Sequence, residues 1–260
     1  MSQKQKVSGV NAPYSLLAHH YDRLLGEAAA MNRHARGRIL RGILPRVRRA
    51  CDLACGSGEG ALDLARAGLE VHAVDLSPVF CRIVRGKARR AGRKIHVHRA
   101  DMREFSLPRP VDLVLAEFAA LNNLADRRQL PQVLRAVARA LVPGGWFLFD
   151  VNTPLSLRTQ YAATYFFEDR SFKLVQRGTV EGDGRLARLD FEWFLPEGGR
   201  FRHVRETLWN VGWTDAEIGR ALRGAGFTRV RWFDGVDVRP RLPGAVRGTD
   251  SYYLARKGAR

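Results

Sequence analysis

The chain has 260 residues, 45% of them hydrophobic and 27% charged, the balance of a folded globular protein and not of a disordered one. Its 44 basic against 26 acidic residues leave a formal net charge of +18, which suits either an anionic partner or an arginine-rich solvated surface. A continuous apolar run of about 18 residues is missing, so no membrane-spanning helix is expected, and three cysteines do not make a disulfide framework.

Met1 to Asn11 is polar and lacks the apolar core of a signal peptide, so a cytoplasmic protein is expected. Residues 14–44 read as helical. Leu16, Leu17, Tyr21, Leu24 and Leu25 recur at helical spacing, Ile39, Leu40 and Ile43 follow, and Pro45 closes the segment. A short strand from Ala50 to Ala54 runs into the glycine-rich turn Cys55-Gly56-Ser57-Gly58-Glu59-Gly60. A helix follows with Leu62, Leu64 and Ala65 on its buried face, ended by Gly68. Then come a strand from Glu70 to Asp75, a helix from Pro78 to about Arg90, and a strand from Ile95 to Arg99. Val111 to Ala116 is an apolar run interrupted only by Asp112, as expected of a strand covered on both faces. A helix from Leu130 to Leu141 stops at Pro143-Gly144-Gly145, and Trp146 to Val151 is the next strand.

Strand and helix thus alternate through residues 50–151, which predicts an α/β fold, a parallel sheet with helices on both faces and ligand space at the strands' carboxyl ends. The pattern then changes. Ser171–Val180, Arg185–Leu195 and Arg202–Asn210 alternate polar and apolar residues and are separated by Glu181-Gly182-Asp183-Gly184 and Pro196-Glu197-Gly198-Gly199. These separators are hairpin turns, so a three-stranded antiparallel insertion is predicted. Thr214 with Glu217 three residues on is a capping box, and Phe227–Phe233 and Tyr252–Arg256 are the closing strands. The chain divides accordingly into an N-terminal helical segment (1–45), a nucleotide-binding core (46–155), the β insertion (156–212) and the closing helix and strands (213–260).

The chemistry concentrates in Asp52-Leu53-Ala54-Cys55-Gly56-Ser57-Gly58. Glycines at a strand-to-helix turn let the backbone approach a ligand. Gly56, Gly58 and Ala61 also satisfy a dinucleotide fingerprint, with Asp75 at the end of the next strand, so a nicotinamide oxidoreductase is a competing reading. Asp52 argues against it: a carboxylate so close to the turn repels a pyrophosphate and suits a cationic ligand. Asp101-Met102 after the third strand offers an acceptor for an adenine amino group and an apolar side chain for its ring.

Asp52 to Gly58 resembles the first motif of the class I S-adenosylmethionine-dependent methyltransferases. Val74-Asp75-Leu76-Ser77 resembles the second, Asp101-Met102 the third, and Leu141 to Gly145 the later proline-glycine-glycine turn. The match spans residues 50–151 in order. Tyr14 to Leu24 and Phe149-Asp150-Val151-Asn152-Thr153-Pro154 resemble a small-molecule branch that includes sugar-nucleotide amino-group methyltransferases. The resemblance implies a Rossmann-like methyltransferase sheet with S-adenosyl-L-methionine as cofactor. By it, Gly56 and Gly58 line the methionine portion with Asp52 and Ala54. Asp75 and Leu76 hold the ribose, and Asp101 and Met102 the adenine.

Methyl transfer needs positioning and desolvation first, and a base only if the acceptor arrives protonated. Glu117, just past the fourth strand, is the first candidate for a base and for a cofactor contact. Tyr14 and Tyr21 are candidates to reach over the donor. His96 and His98 share a strand face and read as structural, and Cys51 with Cys55 has the wrong spacing for a zinc knuckle, so no metal is expected. Ala116-Glu117-Phe118-Ala119 replaces the proline-tyrosine signature of adenine or amide N-methylation. The expected partner is therefore a small-molecule acceptor, attacked through nitrogen or oxygen, with the protein a monomer or homodimer, and the three-stranded insertion is expected to cover the acceptor pocket and to govern the acceptor and not the donor. The alternatives are RNA methylation, favoured by charge alone, and a cofactor-binding protein without catalysis.

Overall fold

The computed structural model describes residues 14–124, 126–240 and 244–259 and the backbone of residues 10 and 11. A two-residue strand β1 (Val10–Asn11) precedes helix α1 (Leu17–Leu40), and a 3-10 turn (Leu44–Arg46) leads into the core. The core runs β2 (Arg49–Leu53), α2 (Glu59–Arg66), β3 (Glu70–Asp75), α3 (Pro78–Arg90), β4 (Ile95–Arg99), β5 (Val111–Ala116), α4 (Leu130–Ala140) and β6 (Leu141–Asn152). A helical turn α5 (Pro154–Ser156), extended by a π-type turn (Leu157–Tyr161), enters the insertion. The insertion comprises β7 (Thr164–Asp169), β8 (Phe172–Glu181), β9 (Leu186–Glu197) and β10 (Arg200–Val211). Helix α6 (Asp215–Gly224), strand β11 (Phe227–Asp234), the turn α7 (Gly235–Val238) and strand β12 (Asp250–Lys257) complete the chain.

The main sheet has seven strands in the order β11-β12-β6-β5-β2-β3-β4. The strands β2 to β6 pair parallel, whereas β12 is antiparallel to both β6 and β11. This is the predicted Rossmann-like α/β architecture. Chain order reverses at β2, which pairs with β3 on one side and β5 on the other, so a crevice opens beyond their carboxyl ends. Leu113 and Leu115 face one apolar layer and Val111 and Val114 the other, which is why β5 is apolar apart from Asp112 near its start, whose carboxylate accepts from the Arg48 and Arg49 backbone N–H groups. The proline-glycine-glycine segment is a bulge. Register jumps from Val111 opposite Leu141 to Leu113 opposite Trp146, and residues 142–145 loop out between them.

The insertion has four antiparallel strands and not the three predicted, and β1 adds to its edge in parallel with β10. The extra strand β7 is exposed along most of its length, with consecutive Tyr165-Phe166-Phe167 instead of alternation, so it carries no period-two signal. By contrast β9 alternates cleanly, burying Leu189, Phe191 and Trp193. That face closes over α1, forming an apolar cluster with Leu17, Phe172, Leu174 and Leu208.

One buried carboxylate ties the two together. Helix α1 has no side-chain cap of its own. Glu206 on β10, 1% exposed, accepts from the backbone N–H groups of Leu16 (2.6 Å) and Leu17 (3.0 Å), from Ser15 Oγ (2.7 Å) and from Trp193 Nε1 (3.1 Å). A negative charge at a helix N-terminus satisfies orphan donors and complements the dipole. A second junction joins insertion and core. Asn122 Nδ2 donates to the carbonyls of Asn152 (2.8 Å) and Val211 (2.7 Å), and Trp213 Nε1 donates to Leu121 O (2.9 Å). Among the described residues no helix is long and apolar enough to cross a membrane.

Candidate active site

A cavity of about 1040 Å³ opens at the carboxyl ends of β2, β3 and β5. Its walls include Asp52, Ala54 and Gly56 from the first turn and Asp75 and Leu76 from the second. Asp101, Met102 and Glu117 come from later strand ends, and Tyr14 and Tyr21 from the N-terminal segment. Gly58 is not on the wall. Its φ of 83° starts α2, and a Cβ there would come within 2.7 Å of Val84 Cγ2, so it serves the close packing of α2 on α3. Gly60, unremarked in the sequence, is at the wall instead. A Cβ on it would sit 2.9 Å from Asp52 Oδ2 and 3.2 Å from Glu117 Oε2. Two carboxylates from different strands thus meet over a bare stretch of backbone.

Asp75 does more than face the cavity. Its Oδ2 accepts from Gly56 N (2.9 Å) and its Oδ1 from Ser77 N (2.8 Å), so one side chain holds both turns in place. Burial raises its pKa against these two bonds. Asp52 is 3% exposed and accepts from Ala61 N at 2.7 Å. Burial pushes its carboxyl up to about 7, against the pull of Arg36. Asp101 is different. The guanidinium of Arg103 grips both its oxygens, Nε to Oδ1 at 2.9 Å and Nη2 to Oδ2 at 2.5 Å, and holds its pKa low.

Glu117 is paired with Arg36 of α1, which also reaches Asp63 at 2.5 Å. Burial raises its carboxyl to about 7 even so. Its Oε1 has no hydrogen-bond partner among the described residues. Its other oxygen, Oε2, is the one held by Arg36, so the carboxylate is engaged in an ion pair at the cavity wall. Burial raises the pKa of Tyr14 and of Tyr21, so both hydroxyls stay protonated. Tyr14 donates to Asn123 Oδ1 at 3.0 Å, and the Tyr21 ring lies edge-on to Phe80 at 5.2 Å.

A second cavity of about 410 Å³ lies on the other side of these rings, between α1, the insertion and the ends of β6 and β12. Tyr14, Tyr21, Leu25, Phe118, Asn123 and Leu208 line both cavities. Among its most buried polar groups is Asp150, missed as a site residue although it stands in the Phe149-to-Pro154 motif. Asp150 is 3% exposed. Its Oδ2 accepts from Ala119 N (2.9 Å), while Oδ1 has no partner among the described residues. Backbone strain marks the same place. Tyr14, Ala54, Phe118 and Ala119 are the non-glycine residues with positive φ among those described, at 51–60°, and all four line one or both cavities.

His72 stacks between His96 (5.0 Å) and His98 (5.2 Å), with His72 Nδ1 2.9 Å from His98 Nε2, and His20 stacks on Trp193 (5.3 Å) and lies tilted against Phe172 (4.6 Å). The three cysteines are free, and no group of three metal-ligating side chains occurs among the described residues.

The methyltransferase domain family matches residues 50–145. Over 224 residues the chain is 31% identical to malonyl-[acyl-carrier protein] O-methyltransferase of Halorhodospira halophila (strain DSM 244 / SL1), covering 81% of this chain and 73% of that protein. Over 241 residues it is 25% identical to dTDP-3-amino-3,6-dideoxy-alpha-D-glucopyranose N,N-dimethyltransferase of Streptomyces fradiae, covering 88% and 90%. Its fold matches that of the sugar N-methyltransferase KedS8 from Streptoalloteichus sp ATCC 53650 with a TM-score of 0.76, at 23% identity over 99% of this chain and 98% of that one. The motif order, the crevice at the reversal of the sheet and these likenesses agree: the chain belongs to the class I S-adenosylmethionine-dependent methyltransferases.

Proposed function

We propose that the protein transfers a methyl group from S-adenosylmethionine to a nitrogen or oxygen of a small molecule held in the smaller cavity. One observation carries this reading. The two cavities meet at a shared wall of Tyr14, Tyr21 and Phe118, with the S-adenosylmethionine motifs on one side and the insertion on the other. The relatives' names carry unlike acceptors, an amino sugar and a malonyl group on a carrier protein, so the acceptor is read from the cavity. Of the 44 basic residues, Arg239 alone lines the smaller cavity among the described residues. The charge of the surface therefore does not extend to the place where an acceptor would sit, and a polyanion is disfavoured.

The larger cavity fits the donor. Asp52 Oδ2 and Glu117 Oε2 face the gap left by Gly60, and Glu117 Oε1 has no hydrogen-bond partner among the described residues, so this carboxylate pair is a place for an ammonium group. By the family resemblance Asp75 would accept from ribose hydroxyls and Asp101 and Met102 would hold the adenine, and all three line this cavity. When bound, S-adenosylmethionine supplies a methyl group on a positively charged sulfur that leaves as a neutral thioether. The chain's part is to orient the acceptor and exclude water. The aromatic rings of Tyr14, Tyr21 and Phe118 do both at the shared wall. The insertion was expected to serve the acceptor alone. Thr207, Leu208 and Trp209 of β10 also line the larger cavity, so it bears on both ligands.

The test is methyl incorporation from labelled S-adenosylmethionine into separated small-metabolite and RNA pools of the source cell. Label should appear in the small-metabolite fraction and require Tyr14. Label confined to RNA would overturn the reading.

A further inference from the structure

We propose that Asp150 is the acceptor-recognition residue, and that the smaller cavity takes its substrate as an ammonium ion whose proton passes to Asp150. The inference deepens the reading just given and rests on it. Four observations carry it.

Asp150 lines the cavity, is almost wholly buried, and leaves Oδ1 unpartnered while Ala119 N–H occupies Oδ2. Burying a carboxylate oxygen without a donor is costly, so a donor from a ligand is the natural complement.

The charge of the wall has the sign opposite to that of the protein. Its charged residues are Asp150, Asp250 and Arg239, one more acid than base, in a chain of net charge +18. Arg239 is already engaged. Its Nη1 donates to Asp250 at 3.0 Å, its Nε to Tyr252 at 2.7 Å and its Nη2 to Asn32 at 3.3 Å. Asp150 has no ion-pair partner among the described residues, so an incoming cation is complementary and an incoming phosphate or carboxylate is not.

The rest of the wall describes the molecule around the amine. Phe167, Leu174 and Phe191 present an apolar side. Gln160, Gln176 and Asn210 present donors and acceptors that suit hydroxyls.

The proton balance closes. The ammonium N–H bond breaks, the proton moves to Asp150 Oδ1, and the electron pair stays on nitrogen, where it is free to form the new bond to carbon. Asp150 becomes a neutral acid and returns the proton to solvent when product leaves. Burial raises its carboxyl to about 7, against the pull of Arg239 and Ala119 N–H, with Glu117 and Asp250 adding to the rise. The other titratable groups around it are Tyr21 from α1, Tyr161 from the turn after α5 and Tyr252 from β12. All have raised pKa values and stay neutral. Asp150 is thus ionised above neutral pH and yet a stronger base than an exposed aspartate.

The experiment titrates two probes of the same shape, cyclohexylamine and cyclohexanol, into the protein saturated with S-adenosylhomocysteine, with binding read by calorimetry. At pH 8 the amine should bind at least about tenfold tighter than the alcohol. Lowering the pH to 6 should reduce that preference about tenfold, because only the ionised carboxylate holds the ammonium and apparent affinity scales with its fraction, while the alcohol stays unchanged. Asp150→Asn, which keeps an oxygen for Ala119 N–H, should remove the preference. Equal affinities at pH 8, a preference that does not change with pH, or one that survives in Asp150→Asn would each overturn the proposal. The pH series needs no variant, so it decides the matter even if Asp150→Asn does not fold. Failure of S-adenosylhomocysteine to bind would overturn the underlying reading of the site, and intact binding without amine preference would overturn this inference alone.

Discussion

Asp52 shows how much one side chain depends on its surroundings. Four residues before Gly56, it was readable as a carboxylate suited to a cation. Its burial, its bond to Ala61 N and its meeting with Glu117 across Gly60 were not readable, because they bring together the ends of β2 and β5 and the start of α2. Burial raises the carboxyls of Asp52 and Glu117 to about 7, so the empty site carries protons near neutral pH that a cationic donor must displace. Affinity for S-adenosylmethionine should therefore rise with pH, by about tenfold between pH 6 and 8 for one such group that must ionise. Isothermal titration across this range, in buffers of different ionisation enthalpy, would also detect the released proton. Asp52→Asn should weaken binding and flatten the profile. A parent protein with pH-independent affinity would show that these carboxylates are ionised before the donor arrives.

At the scale of elements, the device that matters is the capping of α1 by a residue some 190 positions away. The helix was legible from its apolar spacing, but its missing cap was not, because Glu206 belongs to a strand of the insertion. The consequence is that α1, which carries Tyr21 and Arg36, is set by the insertion that also walls the smaller cavity. Glu206→Ala leaves two backbone donors and Trp193 Nε1 unsatisfied in a buried place. It should cost roughly 2–3 kcal/mol of stability, the scale of losing charge-assisted bonds. Glu206→Gln, which keeps an acceptor, should cost less. Chemical denaturation of the three proteins measures this. A neutral effect of the alanine would mean that the helix start is held by packing alone. The same strand joins the two cavities: β10 carries the cap, and Thr207, Leu208 and Trp209 beside it line the larger cavity.

For the whole molecule, the consequential fact is the placement of charge. A net charge of +18 suggested an anionic partner, yet most arginine side chains that form ion pairs do so at the surface, as Arg23 with Asp169 and Arg247 with Asp237. The cavities instead gather carboxylates. Ligand binding to the folded state alone should stabilise the whole fold. S-adenosylhomocysteine at 100 times its dissociation constant contributes about 2.7 kcal/mol. For a chain of this size that is a rise in Tm of roughly 5–10 °C. NAD should produce none, since Asp52 opposes a pyrophosphate at the turn. Differential scanning fluorimetry with both ligands decides between them, and a larger shift with NAD would restore the nicotinamide reading.

By itself the sequence determined whatever depends on local order. Apolar periodicity placed the alternating strands and helices of residues 50–151, the Thr214–Glu217 capping box and the hairpins at Gly182 and Gly198. The spacing of Asp52, Gly56, Asp75 and Asp101 marked one ligand site, since each follows a strand whose carboxyl end must face the same crevice. Only the tertiary structure decided which of those groups are free. Arg36 claims Glu117, Arg103 claims Asp101, Val84 claims Gly58, and nothing among the described residues claims Asp150 Oδ1. Partners such as these come from elements distant in sequence, and neither periodicity nor motif records which side chain arrives at a given oxygen. The exposed strand β7 and the two-residue β1 were hidden for a related reason. A strand exposed along most of its length, or one only two residues long, imposes no readable hydrophobic pattern on its residues.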